Sequence, residues 1–343
     1  MTAKKTILTA ASVALLLMTG AASAADAIKV TPDNFARAET DMYMAVSAGE
    51  AGLGKLFHRR EPFDVKHQTV IRGNRDTLYS SAVFDLNAGP VTISMPDAGK
   101  RFMSLMVIDE DHYVVDVSHG AGSHTLTRDG VGTRYVLVAA RTLIDPTRAG
   151  DADEVHRLQD AIKIDQPGGP GTLDMPVWDK TSQDAVRNAL LALNASMGSF
   201  NKAFGKKSEV DPVHHLIGTA AGWGGNPDSE ATYLSVTPER NDGKILYRLH
   251  VPGDVPVDGF WSISRYDAAG YFVENPFNAY SVNNITAAKG ADGSVDIQFG
   301  GCDGKLANCL PIEAGWNYTV RLYRPQQAIL DGSWKFPAPQ PVD

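Results

Sequence analysis

Apolar positions change their period several times along this chain. Within residues 33–48 they recur at helical spacing, with Phe35, Ala38, Met42 and Ala45 on one face and Pro32-Asp33 as a start signal; the predicted helix stops in the Gly-rich stretch 49–54. From His67 onward, short apolar runs predict strands over 70–71, 78–86, 91–95, 101–108, 113–117 and 135–140. Turn chemistry separates them at Asn87-Ala88-Gly89-Pro90, Pro96-Asp97-Ala98-Gly99 and Arg128-Asp129-Gly130. A helix is predicted from Asp151, where Asp151 and Glu154 are spaced as in a capping box and Val155, Leu158 and Ile162 share a face. A longer one is predicted over 182–204, with Ala185, Ala189, Leu190, Leu193, Met197 and Phe200 as its stripe. A short one follows Asp211-Pro212 to about Ala221. Alternation then resumes in 247–251, 260–266, 295–299 and 318–323, with hairpin-type turns at 241–244, 266–270 and 291–294.

This order makes the chain mainly β, with two strand-rich domains and a few accessory helices. Pro167-Gly168-Gly169-Pro170-Gly171 is the best linker, dividing a first domain over 25–166 from a helical bridge and second domain over 167–343.

Residues 1–24 have the layout of a secretory signal: Lys4 and Lys5, an apolar run from Ile7 to Met18, and Ala22-Ser23-Ala24 before the cleavage point. The expected address is periplasmic or secreted. No later stretch approaches the roughly 20 apolar residues of a membrane span. Loss of the leader takes the formal charge from −8 to −10, which argues against a nucleic-acid partner. In an oxidising compartment the two cysteines, Cys302 and Cys309, are expected to pair across a short Gly-containing loop.

The densest polar chemistry is Gly73-Asn74-Arg75-Asp76-Thr77-Leu78-Tyr79-Ser80-Ser81. Read as a strand, it puts Arg75, Thr77 and Tyr79 on one face and Asn74, Asp76 and Leu78 on the other. Burying it requires the polar groups to satisfy one another, so the segment is either a structural node or a site. As a site, Arg75 and Asp76 orient a polar ligand, Asn74 helps to hold it, and Tyr79 or His67 transfers a proton. Trp223 and Trp261 are candidate cleft walls and Asn275 a further ligand contact, although large aromatics in β domains are more often core. Asp109-Glu110-Asp111-His112 with Asp116 and His119 is the one cluster that invites a metal. It lacks the two-His, one-carboxylate arrangement and reads as an exposed acidic turn, so no metal is expected. Phosphate-loop, dinucleotide and nucleophile-elbow motifs are absent, and no nucleotide or other cofactor is expected.

The chain resembles two bacterial families found in tandem, domain of unknown function 1254 at the front and domain of unknown function 1214 at the back. The first resemblance rests on Asn74-Arg75-Asp76-Thr77-Leu78-Tyr79-Ser80, Pro90 to Pro96, and Arg141-Thr142-Leu143-Ile144. The second rests on Gly222-Trp223-Gly224, Gly259-Phe260-Trp261-Ser262-Ile263 and Arg321-Leu322-Tyr323-Arg324-Pro325. The resemblance implies two jelly-roll-like β-sandwich domains, often exported, and no agreed activity. Two departures stand out: Cys309 replaces the aromatic of an Asn-Trp-Leu-Pro segment, and Ala279-Tyr280 follows Asn275-Pro276 where an Arg-Tyr pair is usual. The functional expectation is an enzyme acting on a small polar or carbohydrate-like substrate; the alternative is a non-catalytic ligand-binding or envelope-associated module. Exposed sheet edges are compatible with a homo-oligomer.

Overall fold

The computed structural model describes residues 27–68, 71–197 and 199–342. Residues 1–24, expected to be a secretory signal, and Val70 lie outside the described residues. Strands dominate. In the first half, β1 (Phe57–His58), β2 (Thr77–Asp85), β3 (Val91–Met95), β4 (Met103–Asp109), β5 (Val114–His119), β6 (Gly122–Leu126), β7 (Tyr135–Leu143) and β8 (Lys163–Asp165) form two antiparallel sheets. Their orders are β1-β2-β7-β4-β5 and β6-β3-β8. Phe84, Leu105, Val107, Val136 and Val138 of the larger sheet pack with Val91 and Ile93 of the smaller in one core.

In the second half, β9 (Ala231–Val236), β10 (Leu246–Val251), β11 (Trp261–Tyr266), β12 (Ser281–Asn283), β13 (Val295–Phe299), β14 (Cys309–Leu310), β15 (Asn317–Tyr323) and β16 (Gln340–Val342) form the sheets β14-β13-β10-β16 and β12-β11-β15-β9. Leu249, Ile297 and Phe299 meet Trp261, Ile263, Val320 and Leu322 between them. Residues 241–244 and 291–294 do not close hairpins. They carry the chain from β9 to β10 and from β12 to β13, strands of different sheets, because turn chemistry fixes a reversal and not the partner.

Among the described residues six α-helices accompany the sheets: α1 (Phe35–Ala51), α2 (Arg128–Val131), α3 (Asp151–Ala161), α4 (Lys180–Asn194), α5 (Pro212–Gly222) and α6 (Gln327–Leu330). Phe35 and Ala38 of α1, Leu190 of α4 and Ile217 of α5 make a separate small core. Asp179 caps α4 through Ser182, and Asp211 caps α5 through Val213 and His214. α4 ends ten residues before the predicted stop: the Ser196 hydroxyl takes the Leu193 carbonyl, and Met197 packs on the helical core from outside the helix. α3 begins at the predicted place without the capping box. Asp151 and Glu154 both bind Arg101 and Arg148 instead, and two guanidinium partners outcompete two backbone donors. Among the described residues no helix is long and apolar enough to cross a membrane.

Cys302 and Cys309 form a disulfide. The closed loop is short, so reduction, or Cys302→Ser with Cys309→Ser, is expected to cost toward the low end of roughly 2–4 kcal/mol, measurable as a shift in urea midpoint.

The 109–112 segment is not the exposed turn expected from its charge. Asp109, Glu110 and His112 are buried, because the turn backs onto α1 and α5: Arg37 pairs with Glu110 and Asp111, and His112 bonds Thr219 and the Gly224 backbone. Burial, with Asp111 close by, pushes Asp109 up to about 7, while the Tyr113 and Asp111 backbone amides and the Arg37 cation pull the other way. Asp41, buried beside Glu110, rises to about 6. A carboxyl whose folded value lies above its unfolded 3.8 contributes stability that is complete below that value and lost as pH rises to 7. This carboxyl by itself therefore favours pH 5 over pH 8, against the buried His112 imidazole, which burial holds well below its ordinary value and whose contribution runs the other way. Asp109→Asn, which keeps an oxygen for the amides, should remove the carboxyl's share of the pH dependence of urea unfolding; an unchanged pH slope in the variant would refute the assignment.

Candidate site at the seam between the two sheets

β15 and β11 alternate in sequence, which predicts one core face and one wet face, yet every residue of both is buried. Trp261, Ile263, Val320 and Leu322 face the core of the second half. The other face, with Ser264, Tyr266, Asn317, Thr319, Arg321 and Tyr323, is covered by the 72–76 segment and the start of β2. Arg72 donates to Asn317 Oδ1 (2.9 Å) and Thr319 Oγ1 (3.0 Å), while Arg321 donates to the Arg72 carbonyl (2.8 Å) and the Gly73 carbonyl (3.2 Å). Tyr266 Oη also donates to the Gly73 carbonyl, at 2.7 Å. Position 73 has no room for a side chain, since a Cβ there would lie 2.6 Å from the Phe63 ring.

Asp76 is 2% exposed and accepts from Asn283 Nδ2 at 3.3 Å; its Oδ2 has no hydrogen-bond partner. Burial raises its pKa, and Arg321 is the largest opposing influence, ahead of Ser262, whose hydroxyl makes no bond of good geometry. Arg75 points elsewhere. It donates to the Phe63 carbonyl and lies over the Tyr280 ring. The face assignment of the sequence reading is thereby corrected: Asn74 joins Thr77 and Tyr79, because residues 74–76 form a turn closed by Asp76 N–H to Asn74 Oδ1 (2.9 Å) and the strand begins only at Thr77. Asn74 Nδ2 reaches Tyr79 Oη (3.0 Å), Thr77 Oγ1 (3.1 Å) and Tyr323 Oη (3.3 Å).

Tyr79 stands at one end of a row that the strand register assembles. Tyr79 faces Arg141, Arg141 faces Ser104, and Ser104 faces His119, across β2, β7, β4 and β5. Directly opposed residues share a sheet face, so a phenol, a guanidinium, a hydroxyl and an imidazole line up on the face turned to the second half. From that half, Glu230 bonds His119 (Oε2 to Nε2, 2.6 Å), and Asn226 accepts from Arg141 (3.1 Å) while donating to Tyr233 Oη (2.8 Å).

Arg141 is the centre. It is 7% exposed, lies against the Tyr79 ring and hydroxyl, donates further to the Gly224 carbonyl and Met106 sulfur, and has no carboxylate partner among the described residues. Burial works against its charge, but the surrounding phenols Tyr79, Tyr233 and Tyr323 hold its pKa up. Reciprocally, burial pushes the Tyr79 phenol up, and the Arg141 charge with the bonds from Asn74 and Thr77 outweighs it, leaving the phenol below its ordinary value. Tyr323, fully enclosed, is pushed well above its ordinary value, burial first and Tyr233 second.

The buried floor of Arg141, Ser104, Asn226 and Tyr323 is ringed by Asn74, Tyr79, Phe102, His119, Glu230 and Tyr233, all of which keep accessible surface. Two depressions open to solvent lie away from the seam. One, of about 220 Å³, lies beside the disulfide with Phe277, Leu306 and Asn308 in its wall; the other is shallow and lined by Lys66, Glu274, Asn275 and Tyr280. Neither gathers a comparable set of charged and hydrogen-bonding groups, so the seam is the candidate on chemistry.

Of the residues read from sequence, Asn74, Asp76 and Tyr79 meet at the seam. His67 is exposed and bonds Asp64 (2.7 Å). Trp261 is core, Trp223 stacks on Tyr43 and His112 and bonds Thr40, and Asn275 ties its own loop through Ala279. Sequence reasoning missed Arg141, Ser104, Glu230 and Tyr233, and weighed His119 only as a metal ligand. One signal was present for Arg141, a lone charge inside the apolar run Tyr135–Leu143.

Comparison with known proteins followed the same two halves. The family model "Protein of unknown function (DUF1254)" matches residues 53–166 and "Protein of unknown function (DUF1214)" matches 231–327, so the chain carries the two in tandem. No curated protein matches it. Among solved structures it is similar to the VPA0106 protein from Vibrio parahaemolyticus (18% identity, TM-score 0.70, 91% of this chain and 98% of that one). It is also similar to an uncharacterized protein from Burkholderia cenocepacia (12% identity, TM-score 0.52, 90% of this chain and 88% of that one). At these identities the likeness is one of fold.

Proposed function

We propose that this tandem DUF1254 and DUF1214 chain is an exported protein that holds a small carboxylate-bearing ligand at the seam between its halves, each half read as a jelly-roll-like sandwich with the division near residue 166. The observation that carries the reading is Arg141, a buried guanidinium among three phenols with no carboxylate partner among the described residues. A buried cation without an anion is expensive, and an incoming carboxylate supplies the missing charge through two parallel N–H···O bonds. Tyr79 is the group suited to exchange a proton with such a ligand, its phenol being eased toward ionisation by Arg141.

The 72–76 segment takes the other role weighed from sequence. Arg72 and Asp76 are spent on bonds that join the halves, which suits a structural node supporting the Arg141 site. The test is calorimetric titration of the 25–343 chain with acetate, benzoate and inorganic phosphate. Saturable binding of a carboxylate is the expected result, and no heat with any of them would remove the reading.

A further inference from the structure

We infer that the ligand of this seam is a planar aromatic carboxylate bearing a hydroxyl at the far end of its ring, an inference that rests on the carboxylate reading above. The row on the sheet sets its length. Arg141 and His119 are two strands apart, about 10 Å at the usual spacing, with only the small Ser104 between them. A carboxylate on Arg141 would set the rest of its ligand over Ser104, in line with the imidazole. A benzene ring with polar groups at its two ends matches that layout.

The walls match as well. Phe102 sits beside the row, edge-on to His119 (centroids 5.5 Å) and to Phe260 (5.1 Å) and tilted against Tyr323 (5.6 Å). It keeps accessible surface, as does Tyr233, with which it shares an apolar cluster joining Leu143 of the first half to Ala231 and Phe260 of the second. Such walls favour a flat ring over an aliphatic chain of equal volume. At the far end, the Glu230 carboxylate fixes the imidazole through Nε2 at 2.6 Å, so His119 presents an oriented polar edge to a ligand hydroxyl.

The experiment is titration of the same chain with acetate, benzoate and 4-hydroxybenzoate, repeated on Phe102→Leu and His119→Leu, each checked for an unchanged circular dichroism spectrum. Benzoate should bind at least about tenfold tighter than acetate, for the ring area removed from water. The hydroxyl should add a further factor of about ten. Phe102→Leu should reduce the ring's advantage in both aromatic acids, and His119→Leu should erase the hydroxyl's advantage alone. Acetate and benzoate binding equally would overturn this inference and leave the carboxylate reading standing. A hydroxyl gain that survives His119→Leu would overturn the assignment of the far end. Failure of all three acids to bind would overturn both readings.

Discussion

Replacing Arg321 by methionine is expected to destabilise the chain by about 3–5 kcal/mol, because it removes a buried charge that satisfies several acceptors and offsets the buried Asp76 carboxylate. The side chain donates to Ser264 Oγ (2.9 Å), to the Arg72 and Gly73 carbonyls and to Tyr266 Oη (2.7 Å), so three acceptors lose the donor described for them at once and the Gly73 carbonyl is left with the Tyr266 hydroxyl alone. The Asp76 carboxylate, already raised by burial, loses its strongest opposing influence. Urea unfolding of the variant measures the loss. A double-mutant cycle with Asp76→Asn separates the causes: if the stranded carboxylate dominates, the second change should return part of the stability, whereas simple additivity would assign the loss to the carbonyls and hydroxyls.

Arg141→Met should act oppositely, on binding more than on folding. Methionine occupies similar apolar volume at the same place in β7, and no ion pair among the described residues is broken by the change. The β7 side chains that face the first core, Val136, Val138 and Ala140, are untouched. A bidentate charge-assisted contact is worth several kcal/mol, so affinity for a carboxylate should fall by about 100-fold or more. Arg141→Lys should restore charge without the two-pronged geometry and recover only part of the affinity. Equal affinity in wild type and Arg141→Met would show that the carboxylate binds elsewhere.

Much of the frame can be read from local pattern. Strand alternation locates β3, β10 and β13 almost to the residue, Asp211-Pro212 announces α5, and the cysteine spacing announces the disulfide. The site is legible only in part, because its groups are gathered by register and not by a motif. Tyr79, Arg141, Ser104 and His119 are neighbours solely because β2, β7, β4 and β5 pair as they do, and those pairings are long-range. Glu230 and Tyr233 come from the other half, so no window of sequence contains them with their partners. The Asn74 to Tyr79 segment was conspicuous for the right reason, a crowd of polar groups needing mutual satisfaction, but its second set of partners, Asn283, Arg321 and Tyr323, lies more than 200 residues away.

The wet face of β15 and β11 that became an interface has a mechanical meaning. Each half closes its own sheet core, so where β15 and β11 meet the 72–76 segment the joint is made mainly of hydrogen bonds that water can replace one by one, with aromatic clusters around Tyr323 and Tyr266 beside them, while the apolar core of α1, α4 and α5 holds the halves together elsewhere. Parting such surfaces costs far less than exposing a core of the same area, and interfaces of this polarity are where two domains move against each other. The fold thus places this polar joint beside Arg141, a buried arginine with no carboxylate partner among the described residues, making hydration of that joint the natural entry route to the guanidinium.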